Sequence, residues 1–90
     1  MDLNNLRKEI DQIDEELIEV LSSRFMKVSK IADVKTSQGD EAFDESRWQE
    51  VLEKVKEYAK SKGLSEEFIE KLYNVIHDEA LRIEEDQIQF

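Results

Sequence analysis

One apolar pattern runs from Leu3 to Val34 with nothing in it to stop a helix. Leu3, Leu6, Ile10, Ile13, Leu17, Val20, Ile31 and Val34 recur at three- and four-residue spacing, the period of one helix face. A second row, Leu21, Phe25, Val28 and Ala32, widens that face. The chain has no Pro and only two Gly, Gly39 and Gly63, so no breaker interrupts the repeat. The spacing predicts a first helix from about Leu3 to Lys35, with Asp2 as its N-cap. Thr36 to Ala42 is polar and aperiodic and reads as a mobile loop.

Two shorter helices follow. Asp44 is a good N-cap for the second, with Phe43 and Trp48 at the positions of a hydrophobic staple. Val51, Leu52, Val55, Tyr58 and Ala59 form its apolar side, and Gly63 suits the left-handed residue that ends a helix. Ser65 caps the third helix, Glu66 and Glu67 favour its first turn, and Leu64 and Ile69 form a second candidate staple. Its face is carried by Phe68, Ile69, Leu72, Val75, Ile76, Ala80 and Ile83. The expected fold is all-α, three helices in a single domain over residues 1–90.

The first helix would be roughly 50 Å long at about 1.5 Å per residue. A compact chain of this size has a radius of gyration of only about 12 Å. The other two helices cannot cover such a length, whereas a second copy of the same helix can. A homodimer built along helix one is therefore expected. The apolar face is also wider than the strict seam of a coiled-coil hairpin.

The formal net charge is −10, which argues against nucleic acid and anionic membranes as partners, since both need a cationic surface. It argues only weakly against a small anion, because a few cations in a pocket outvote a distant acidic surface. No Cys is present, so neither disulfides nor thiolate metal sites arise. No apolar run approaches the length of a membrane span, and Met1 to Asn5 lacks a signal-peptide pattern. A cytoplasmic protein is expected.

Heptad letters expose an anomaly. Leu3, Ile10, Leu17, Arg24 and Ile31 share one seam position, and Leu6, Ile13, Val20, Lys27 and Val34 share the other. Arg24 thus falls where an aliphatic residue belongs, so its guanidinium needs an anionic partner or a wet pocket. Lys35, eleven residues on, has nearly the same azimuth and lies about 16 Å along the axis. Two long side chains reaching toward each other leave room for a small polyanion. Arg7 lies about 25 Å before Arg24 on a straight helix, so it could join the same site only from an antiparallel partner.

These residues carry a resemblance. The run L-R-K-E-I-D-Q-I-D-E-E-L in helix one, then Arg24, Lys35, D-E-S-R at Asp44 to Arg47, and I-H-D-E-A-L-R-I-E in the last helix resemble the all-helical chorismate mutases. The likeness spans about Leu3 to Gln87. Arg47-Trp48 and the I-H-D-E run are most similar to mutase domains fused to the synthase that opens the aromatic amino-acid pathway. The resemblance implies an intertwined homodimer with shared active sites, no cofactor, a small dicarboxylate substrate, and a fused or associated synthase. It implies that Arg24 and the partner copy's Arg7 bind the two substrate carboxylates, and that Lys35 donates to the ether oxygen of the breaking bond. Glu84 stands where the family has Gln or Glu facing that oxygen. Only a protonated carboxyl could donate there, so activity should favour acid. Asp44 and Arg47 would lie at the mouth, near the ring hydroxyl.

Two positions depart from the family. Many members have Glu where this chain has Trp48, which contacts the ring hydroxyl, and Ser where it has Ala80, which touches a carboxylate. Losing that second bond would cost about 1.5–3 kcal/mol. Two other readings follow: an isochorismate-pyruvate lyase with a comparable cationic pocket, and a mutase-like module for dimerisation or regulation. His77, the only histidine, reads as a surface or core residue, and Tyr58 and Tyr73 as packing residues. The carboxylates of helix one read as a solvated face.

Overall fold

The computed structural model describes residues 2–88; Met1, Gln89 and Phe90 of the expected domain lie outside that range. It holds three helices, α1 (Leu3–Gln38), α2 (Glu45–Ser61) and α3 (Glu66–Gln87), and no strand among the described residues.

Each cap has the chemistry the sequence offers. The Asp2 carboxylate accepts from the Asn4 N–H at 3.1 Å, Asp44 from the Arg47 N–H at 3.1 Å, and the Ser65 hydroxyl from the Phe68 N–H at 3.2 Å. At the end of α2, Gly63 has φ 77° and its N–H meets the Lys60 carbonyl, while the Leu64 N–H reaches back to Ala59. This double bond pattern closes the last turn.

The first helix ends later than its apolar period suggests. Thr36, Ser37 and Gln38, expected in a mobile loop, are helical. Gly39, with φ 74°, makes the reversal: its N–H bonds the Thr36 carbonyl at 3.2 Å and the Asp40 N–H bonds the Lys35 carbonyl at 2.8 Å. The Thr36 hydroxyl returns to the Ala32 carbonyl at 2.8 Å. Periodicity marks where a helix stops burying apolar groups, not where its backbone stops, and here the left-handed glycine sets the end.

Both α1 and α2 pack against α3 and not against each other. Val28 and Ala32 of α1, Ala59 of α2, and Ile69, Ile76 and Ala80 of α3 are the buried apolar residues. No large side chain among those described is fully buried, so the core of one chain is thin. The α1 row that meets this core is the second one, Leu21, Phe25, Val28 and Ala32, buried or half-buried. The main row faces away: Leu3, Leu6, Ile10, Ile13, Leu17 and Val20 are between 37% and 65% exposed. Ile31 and Val34 of that row are also open. The longest extent is 56 Å and the radius of gyration 16.3 Å, against about 12 Å for a compact chain. Tyr58, placed by its spacing on the apolar side of α2, is exposed, with the Lys62 ammonium 5.5 Å from its ring centre. Of the second staple, Ile69 is buried but Leu64 is not.

Candidate active site

Where α1, the α1–α2 connection, the start of α2 and the C-terminal half of α3 meet, a cavity of about 450 Å³ opens. Arg24, Lys35, Asp44, Arg47, Trp48, Ala80 and Glu84 all line it. Seven of the eight expected site residues are therefore brought together within one chain. The eighth, Arg7, is exposed on the uncovered half of α1 and is not part of this wall.

Lys35 is held by the turn that ends its helix. Its carbonyl takes the Asp40 N–H, and its ammonium donates to the Ala42 carbonyl. The same ammonium lies 3.1 Å from a Glu84 carboxylate oxygen, with side-chain exposures of 19% and 10%. Glu84 is the buried charged residue among those described. A buried carboxylate without a cation would be costly, and a buried lysine without an anion equally so; together they are tolerable. Lys35 thus stands as a fixed point charge at the cavity wall.

Arg24 settles the anomaly of the apolar seam. It forms no ion pair among the described residues; its guanidinium lies 5.7 Å from the centre of the Tyr73 ring and lines the cavity. A cation on an aromatic face is attracted without being neutralised, which leaves its donors for an anionic ligand. Arg47 is instead drawn to Glu50 at 2.7 Å on the exposed side of α2. Asp44 caps that helix through its carboxylate. Ala80 is buried, with no hydroxyl to offer.

Trp48 does not simply form a staple with Phe43. Both rings lie on His77: Trp48 stacks on it at 3.9 Å between ring centres and 15° between planes, and Phe43 lies 5.6 Å away at 57°. Burial pushes the His77 imidazole below its ordinary value of 6.5; Arg24 adds to this, while Asp78, Glu84 and Glu45 oppose it. The net effect favours the uncharged ring. His77 also lines the cavity, as does Lys27.

Sequence reading missed His77 and the role of Tyr73. The signal for His77 was present: residues 77, 80, 81 and 84 share one face of a helix by spacing, and all four line the cavity. The signal for Tyr73 was not, since a ring that receives a cation and a ring that only packs have the same period.

The arrangement can bind a small anion through Arg24 and present an ammonium and a carboxyl group to its reacting part. Such a site works by holding and polarising a substrate rather than by attacking it. Among the described residues, no cluster of His, Cys, Asp or Glu is placed to hold a metal ion, and no helix is long and apolar enough to cross a membrane.

The family profile of chorismate mutase type II matches residues 6–85, and the chain belongs to that family. The 4-amino-4-deoxychorismate mutase of Streptomyces venezuelae is similar to it, 32% identical over 84 residues, which is 93% of this chain and 82% of the relative. No solved structure matches the chain significantly.

Proposed function

We propose that this protein is a chorismate mutase, rearranging chorismate to prephenate in aromatic amino-acid biosynthesis in the cytoplasm. The observation that carries the reading is the convergence of Arg24, Lys35 and Glu84 on one cavity. Chorismate carries two carboxylates on a flexible frame, and its rearrangement is intramolecular. The catalyst must hold the folded conformer and meet the charge that develops on the ether oxygen. Arg24 suits bidentate grip of one carboxylate and Lys35 a point contact to the ether oxygen. Glu84 reaches the same oxygen from α3. Asp44 and Arg47 stand at the mouth by the ring substituent.

The second carboxylate needs another cation, and the partner copy's Arg7 supplies it in a homodimer. The open row from Leu3 to Val20 supports this reading, because one chain leaves it without cover. Association with a synthase rests on Arg47-Trp48 and the Ile76–Glu79 run alone.

Rearrangement of 4-amino-4-deoxychorismate is a second reading. It is favoured by the relative's activity and by Trp48, which stands where many members have a Glu for the ring hydroxyl. Incubation with chorismate, 4-amino-4-deoxychorismate and isochorismate, followed by chromatography of the products, tests all readings. Prephenate from chorismate is the expected result. Pyruvate released from isochorismate would make the protein a lyase, and no conversion of any substrate would make it a helical dimerisation module.

A further inference from the structure

The charged groups of the cavity wall are largely engaged. Lys35 is held by Glu84 and the Ala42 carbonyl, Arg47 by Glu50, and Asp44 by the start of its own helix. Arg24 and Lys27 are cations and can only donate. His77 differs from all of these. No hydrogen bond from any described residue reaches its imidazole, yet its ring lines the cavity and is half-buried. The parallel stack on Trp48 at 3.9 Å and 15° fixes the ring plane, so its nitrogens point in set directions. A neutral imidazole carries one N–H and one lone pair.

We propose that His77 is a specificity-determining residue: held by Trp48, its ring nitrogen accepts a hydrogen bond from the donor-bearing substituent on the substrate ring. The inference rests on the mutase reading above and adds to it the group that senses the ring. The substituent is a hydroxyl in chorismate and an amine in 4-amino-4-deoxychorismate; a lone pair serves either. Protonation of His77 removes that lone pair, and an imidazolium also repels a charged amine. The charged groups facing it are Asp78 and Glu84 on its own helix, Arg24 from α1 and Glu45 from α2. Burial outweighs the acidic ones, which keeps the acceptor available near neutral pH.

The test uses the full chain and three substrates: chorismate, 4-amino-4-deoxychorismate, and the analogue with hydrogen at that ring carbon. His77→Phe keeps a ring to stack on Trp48 but has no lone pair. His77→Asn keeps an acceptor without the stack. His77→Phe should lower kcat/KM about tenfold, the effect of one hydrogen bond, for a donor-bearing substrate and leave the hydrogen analogue nearly unchanged. His77→Asn should recover part of the loss. The larger loss identifies hydroxyl or amine as the group recognised. Trp48 is the sole Trp, so its emission should titrate with His77. In the wild type, kcat/KM should fall at the acid side over that same titration, and in His77→Phe both effects should vanish. Equal losses on all three substrates, no loss on any, or an acid limb unrelated to the Trp48 titration would overturn the proposal. Wild-type protein inert toward all three would instead overturn the mutase reading itself.

Discussion

The ammonium of Lys35, near the end of α1, lies 3.1 Å from the carboxylate of Glu84, three residues before the end of α3. One contact therefore joins the longest helix to the last one inside the cavity. In the proposed mechanism, charge developing on the substrate oxygen strengthens its contact with Lys35, whereas a carboxylate at Glu84 opposes it. Lys35→Ala should lower kcat by about 10²–10³-fold with a smaller change in KM; an effect on KM alone would show that Lys35 only attracts substrate.

Glu84→Gln places a donor at the same point at every pH. It should raise kcat at neutral pH. An unchanged kcat, or loss of activity, would contradict a donor role for Glu84.

Arg7 and Arg24 should serve one site from different chains. Each Ala variant should be nearly inactive alone, and mixing them under subunit exchange should restore one intact site per mixed dimer. Sedimentation should give a dimer at micromolar concentration. A compact monomer, or no recovery after proven exchange, would refute the shared site.

Ala80→Ser adds one hydroxyl to the buried wall beside Glu84 with little volume. A charge-assisted bond to a carboxylate is worth about 1.5–3 kcal/mol, so KM should fall about ten- to hundredfold with the melting temperature nearly unchanged. An unaltered KM would mean that the carboxylate lies elsewhere.

His77 makes stability depend on pH. Its folded value is held below the ordinary 6.5, so the unfolded chain binds the proton more readily. Above 6.5 both states are neutral and nothing changes; as pH falls below 6.5, the wild type should lose stability relative to His77→Phe. Urea midpoints of the two proteins from pH 8 to 5 measure it, and parallel curves would show that burial does not act on this ring.

Much of this was legible in the sequence. The helices, their caps at Asp2, Asp44 and Ser65, and the cations at Arg24 and Lys35 follow from local chemistry: periodicity, short polar caps and a charge where an aliphatic residue belongs. The gathering of Asp44, Ala80 and Glu84 beside them was legible only through resemblance, because spacing within one helix carries no distance to another. Tertiary structure alone decided the rest. Two apolar rows on α1 have the same period, and only packing on α3 chose the Leu21 to Ala32 row for the chain's own core and left the Leu3 to Val20 row open. Only the Gly39 reversal carried α1 to Gln38 and turned the Ala42 carbonyl toward Lys35. Only the approach of α2 to α3 laid Trp48 on His77. The choice of row on α1 and the stack of Trp48 on His77 join residues far apart in sequence and are set by how surfaces fit, whereas the Gly39 reversal is a local turn that apolar periodicity does not mark.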